Sequence, residues 1–319
     1  MNEQTQTIPD ICEITTFSCS PDLPIRLLIE LPHGATKAKH FENYRQQLLG
    51  TTFPQDLAHF FFVNTDVGTP ELGMQIAKQF ASNTTFGAVV IKSLIPRTFI
   101  DCNRVIALSA DDYKKGGVTP GIPPYVTNQT DLQFLTEQYT KYQKQAQILY
   151  EDICQIGGFA LMLHSYAPKT VGIATIDDQI VKNLHRVYQP DLYKTWPTRP
   201  EIDFITTTLE NQRLAPGKLI DQMSTLLRED GFEVEEGKSY PLHPSTTAFS
   251  HASSYPDNTL CMEVRRDLLA TEFTPFSEMN ICQQKVERIS VPVSKALSQW
   301  LINHQSNAGF SISKQNIME

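Results

Sequence analysis

No stretch of this sequence approaches the roughly 20 consecutive apolar residues that a membrane-spanning helix needs, so no membrane protein is expected. Six cysteines (Cys12, Cys19, Cys102, Cys154, Cys261, Cys282) are scattered without a C-x-x-C pair. A thiolate zinc site and a secreted disulfide framework are therefore disfavoured, and most of the thiols are expected to be reduced and buried. A Gly-rich phosphate loop is missing, which disfavours nucleotide chemistry, and so is the compact His-Glu-x-x-His signature. Ser165 has no Gly-x-Ser-x-Gly elbow around it, which disfavours a serine hydrolase. There is no internal repeat, low-complexity tract or block of like charge. The net charge of −8 offers no basic surface for nucleic acid. The opening "MNEQTQTIPDICEITTF" lacks the basic start and apolar core of a signal peptide. A cytoplasmic location is expected.

What the sequence does have is enough apolar material for a core: 319 residues, 40% hydrophobic and 19% charged. Short apolar runs bounded by turn residues read as buried strands at 25–31, 59–65, 87–93, 158–165 and 260–264. Helical patterns fall between them, at 71–83, 130–158, 217–231 and 290–305. Strands alternating with helices predict an α/β fold whose central sheet is mainly parallel or mixed, with helices on both faces. Polar, Pro/Gly-rich stretches near 111–128, 188–204 and 238–258 read as loop insertions beside a site. One domain spanning 1–319 is expected.

In an open α/β sheet, ligands bind outside the carboxyl ends of the strands. Here those ends carry chemistry. The first run closes on Pro32-His33-Gly34, and the second leads into Asp66 and Glu71. The third leads into Arg97, Asp101, Asn103 and Arg104; "GFALMLHS" ends at His164-Ser165, and the last carries Glu263 and Arg265. Two histidines and one carboxylate with an open fourth position form the ligand set of a catalytic zinc. A separate carboxylate must then move the proton from water to the leaving amine. His33, Glu71 and His164 fit the first role, with Asp66 as the alternative to Glu71, and Glu263 fits the second.

The segments "LPHGATKAKHF", "NTDVGTPEL", "FIDCNR", "LMLHSY" and "SYPLHPST…LCMEVRRDLL" resemble, in order and spacing, the N-formylglutamate amidohydrolase family. That family shows a Pro-His-Ser-Gly segment, an Asp-x-Asn-Arg segment, a strand ending in His-Ser and a C-terminal Gln-x-Glu-x-x-Arg strand. The resemblance covers roughly residues 25 to 270 and implies a zinc-exopeptidase-like fold with one Zn²⁺ per chain. It assigns the metal to His33, Glu71 (or Asp66) and His164, and the general base to Glu263. It assigns Asn103, Arg104 and Arg265 to the substrate's carboxylate, which a guanidinium grips through paired hydrogen bonds. A zinc-dependent hydrolase acting on the non-peptide amide of a small N-acyl amino acid is implied, with no nucleic-acid or membrane partner.

The chain departs from the family where the pocket is shaped. Gly34 follows His33 directly, Cys261 replaces the motif's glutamine, and "HPSTTAFSHASSYPD" replaces a glycine-rich segment. A zinc peptidase or cell-wall amidase, and a binding protein that keeps the fold without catalysis, stay open as alternatives. His243 and His251 are expected at the surface, and His40, His59, His185 and His304 are read as ordinary.

Overall fold

A computed structural model describes residues 1–106, 119–173 and 175–315. Its centre is four parallel strands, the runs rich enough in Leu, Ile and Val to be buried on both faces. They are β3 (Ile25–Leu31), β4 (Gly87–Ser93), β5 (Phe159–Tyr166) and β8 (Thr259–Arg265). Four further strands widen the sheet: β1 (Asn2–Ile8), β2 (Cys12–Ser18), β6 (Ile202–Ile205) and β7 (Val234–Glu236). The order is β1-β2-β4-β3-β5-β8-β6-β7. β2 runs antiparallel to β4, and β6 antiparallel to β8, so the sheet is mixed.

Helices cover both faces, as an α/β sheet buried on both sides requires. On one face α3 (Thr69–Asn83), α7 (Gly217–Glu229) and α9 (Gln283–Gln315) bury Leu72, Ile76, Phe80, Leu219 and Val293 against Leu27, Ile29 and Leu161. On the other, α1 (Ala38–Gln47), α2 (Leu57–Asn64), α4 (Gln129–Cys154) and α5 (Ile180–Val187) pack on Leu28, Val89, Ile91 and Ala160. The short α6 (Pro190–Tyr193) and α8 (Thr247–Ser254) lie within the polar stretches read as insertions. Residues 111–118 of the first such stretch lie outside the described residues.

One expected strand is a helix. The run "HFFFVNT" at 59–65 belongs to α2. A short apolar run without alternation fits a buried strand or a buried helix equally well. Phe60, Phe61 and Phe62 supply bulk, but within α2 only Val63 is β-branched. Tertiary burial against Phe41 and Phe99 rather than strand pairing decides it. Among the described residues no helix is long and apolar enough to cross a membrane.

Candidate metal centre and its cavity

The parallel core delivers its side chains to one edge. β3 ends at Leu31, and the chain turns at once, Gly34 N–H donating to Leu31 C=O. A Cβ at Gly34 would stand 2.4 Å from Lys92 Cγ and 3.1 Å from Ser93 C=O, so glycine is what this close approach to β4 admits. His33 is thereby held inward, 2% exposed. β5 and β8 pair so that His164 stands opposite Glu263, which puts imidazole and carboxylate on one face at one level.

The third contribution comes from the turn between α2 and α3. Thr65 Oγ1 donates to Ala35 C=O, tying this turn to the loop after β3. Gly68 then takes φ +84°, a left-handed conformation that lets α3 start at Thr69. Asp66 therefore points back at both histidines. His33 Nδ1 lies 3.0 Å and His164 Nδ1 2.8 Å from its Oδ2. One ligand atom from each of the three buried residues falls within 4.8 Å of the other two.

Each ring is fixed from behind. His33 Nε2 donates to Asp101 Oδ1 at 2.7 Å, and Asp101 is itself held by Arg97 Nε at 2.9 Å. Asn103 Nδ2 sits 3.2 Å from His164 Nε2, while its Oδ1 accepts from Thr247 Oγ1 and from the Ala248 N–H of α8. The Asp101 carboxylate, accepting from His33 Nε2, is the kind of outer partner that orients a metal ligand.

The electrostatics bind the three groups into one buried cluster of opposite charges. Burial alone would raise the pKa of Asp66, but the charge and hydrogen bonds of His33 and His164 hold its carboxyl ionised, well below the usual carboxylate range. Burial and Arg97 press His33 towards the neutral form, yet Asp101 and Asp66 outweigh them and raise its pKa. A single carboxylate oxygen can face two imidazole nitrogens only if each contact carries a hydrogen or shares a cation, as N–H donors or as one divalent ion. His33, Asp66 and His164 could hold one divalent metal ion through two nitrogens and one oxygen.

Glu263 shares the cavity with all three. Burial, reinforced by the charge of Asp66, pushes its pKa up to about 7 against the pull of His164, Arg199 and Arg97. Its Oε2 is buried without a hydrogen-bond partner. A carboxyl group so placed suits proton transfer near neutral pH.

The remaining expected residues divide. Arg104 lines the cavity, its Nε donating to Thr119 C=O and its Nη1 3.9 Å from Asp101 Oδ2. Glu71 does not reach the histidines: in the first turn of α3 it faces outward, 3.6 Å from Lys37 Nζ. Arg265 does not line the cavity either; it forks onto Asp267 at 2.9 and 3.0 Å and approaches Glu201. Its neighbour Arg266 does, buried, donating to Val63 C=O and Ser165 C=O and standing 3.9 Å from Asp66 Oδ1. Counting Glu-x-x-Arg from Glu263 reaches Arg266, so the motif itself held that signal. His243 and His251 are buried rather than at the surface. His243 faces the cavity with Nδ1 accepting from the Ser245 N–H, and burial and Arg104 lower its pKa, leaving Nε2–H as a donor. His251 stacks on Tyr150 at 3.7 Å.

No family model matches the chain, and no curated protein does. Solved structures do. N-formylglutamate amidohydrolase from Ralstonia eutropha JMP134 superposes with a TM-score of 0.52 at 14% identity, over 93% of this chain and 99% of that one. The fold is shared with N-formylglutamate amidohydrolase. A gene product of Agrobacterium tumefaciens matches comparably, with a TM-score of 0.51 at 13% identity over 92% of this chain and 96% of that one. The expected α/β architecture with a mixed sheet is the observed one. At these identities the likeness to the amidohydrolase is one of fold, and the chemistry rests on the side chains just described.

Proposed function

We propose that this protein is a zinc-dependent amidohydrolase that cleaves the amide of an N-acyl amino acid. One observation carries the reading: His33 Nδ1 and His164 Nδ1 converge on Asp66 Oδ2 in the cavity that also holds the unpartnered Oε2 of Glu263. His33, Asp66 and His164 hold the metal, which when bound supplies a Lewis acid for the amide carbonyl and makes water more acidic.

The chain's own groups do the rest. Arg104 receives the carboxylate of the amino-acid half, and the Nε2–H of His243 donates beside it. That contact fixes the amide where Glu263 reaches both reacting partners. Glu263 takes a proton from water as the water oxygen adds to the amide carbon. It returns that proton to nitrogen as the C–N bond breaks, leaving a carboxylic acid and a free amine. Asn103 acts through His164, to which its amide is already joined, rather than on the substrate directly.

The test is metal content after purification with zinc supplied, for the wild type, His164→Ala and Glu71→Gln. About one zinc per chain is expected in the wild type and in Glu71→Gln, and little in His164→Ala. Equal metal in all three would remove His164 from the centre. Loss in Glu71→Gln would return the carboxylate ligand to Glu71.

A further inference from the structure

We infer that the acyl half of the substrate is an alkanoyl chain of several carbons rather than a formyl group; this rests on the amidohydrolase reading above. The cavity encloses about 470 Å³, within the range of pockets that take ligands of roughly 300–1,000 Å³ and far more than an amino acid with one added formyl carbon fills.

The spare room has an apolar wall. Phe60 and Val63, one turn apart on α2, share a face. Val171 and Ile176, from the stretch after β5, and Tyr188, just past α5, continue it. Val63, Ile176 and Tyr188 pack against the same buried cluster that contains Phe60. The strand order explains why this wall serves the acyl end. β3, which carries His33, lies between β4 and β5. The loop after β4 brings Arg104, the carboxylate anchor, while the chain after β5 brings Val171, Ile176 and Tyr188. Arg104 and the part of the wall made by Val171, Ile176 and Tyr188 therefore arise on opposite sides of the His33 strand, while Phe60 and Val63 reach the cavity from α2, between β3 and β4 in the chain. An amide anchored at Arg104 directs its acyl group towards the part that follows β5. Lys169, from the same stretch after β5 and donating to Trp196 C=O, and Arg199 are the competing features. The Arg199 guanidinium lies 4.9 Å from the Tyr166 ring and 5.5 Å from that of Tyr240, with Nε donating to Thr170, and either cation would draw an anionic acyl group instead.

The deciding measurement is kcat/KM of the zinc-supplemented protein on N-formyl-, N-acetyl-, N-butanoyl-, N-hexanoyl- and N-succinyl-L-glutamate. A methylene fully buried on the wall gains about fourfold, the equivalent of roughly 0.8 kcal/mol, so a rise of at least tenfold from formyl to hexanoyl is expected. In Val63→Glu the rise should vanish; Ile176→Glu, at a half-buried position, repeats the test if Val63→Glu does not accumulate. A flat or falling series, or a preference for succinyl, overturns the inference. If none of the compounds is hydrolysed, the amidohydrolase reading fails on its own. Calorimetric binding of the same series to Glu263→Gln then decides the wall separately: Kd falling with chain length supports it, and constant Kd overturns it.

Discussion

Glu263 keeps one carboxyl oxygen buried without a hydrogen-bond partner, an arrangement that costs roughly 1–3 kcal/mol in a fold that gains nothing from it. Met262 and Val264, its neighbours in β8, are fully buried on the opposite face of the sheet, whereas Glu263 faces the cavity. The proton transfer proposed for Glu263 would account for the exception. Replacing Glu263 by Gln keeps the shape and removes the exchangeable proton, so kcat should fall a hundredfold or more while zinc content stays at the wild-type level. Wild-type turnover by Glu263→Gln, measured on the best substrate of the series, would end the assignment. His33 and His164 stood out in the sequence because each follows or ends an apolar run, Glu263 because it interrupts one, and the structure brings the three into one cavity at the strand ends. The carboxylate between the histidines was not settled in the sequence. Asp66 and Glu71 both follow the second run, and only the left-handed turn at Gly68 shows that the first faces in and the second out. His243 and His251 were misplaced because a polar, proline-containing loop reads as surface until α8 folds it against Asn103 and Tyr150.

The α2–turn–α3 connection is the element on which the centre depends. It supplies Asp66, clamps itself to the β3 loop through Thr65, and starts α3 from a residue at φ +84°. Gly68→Ala would place a Cβ 2.6 Å from Leu269 Cβ, in a conformation that itself costs an L-residue roughly 1–2 kcal/mol. Unfolding free energy from urea titration should fall by about 2–3 kcal/mol once the clash is added, and zinc content should fall with it because Asp66 moves with the turn. Unchanged stability and metal would show that the turn tolerates another path. Among elements, the parallel strands and the long helices were legible because their patterns are extended and apolar, and their observed bounds differ from the expected ones by few residues at β3, β4, β5 and β8. β1 was not: "NEQTQTI" carries almost no apolar residue and is exposed, so only pairing with β2 makes it a strand. α2 failed for the opposite reason, being apolar all along its length.

Across the whole molecule, histidines and carboxylates set the pH range of stability, and they act in separate windows. Burial, with the charges of Lys92 and Lys39, lowers His40 to about 4, while its Nδ1 accepts from the Lys37 N–H at the start of α1. Burial also lowers His243 and His251. In the unfolded chain such rings titrate near 6.5, so between that value and the folded one the unfolded state binds more protons, and stability is lost as pH falls. Asp66 and Asp101, both held below their usual values, give up their contribution only as pH falls below about 4. His33 has the reverse sign, since its raised pKa favours folding at low pH and loses that effect as pH rises. The urea midpoint should therefore decline from pH 6.5 to pH 4 before the carboxylates titrate. His40→Gln isolates one part of this decline, because a glutamine oxygen can accept from the Lys37 N–H without titrating. Its unfolding free energy should be close to wild type at pH 7.5 and fall less on acidification, by up to about 2 kcal/mol after allowing for solvent around a half-buried ring. Equal declines in the two proteins would place the acid sensitivity at His243 and His251, beside the cavity, rather than at the start of α1.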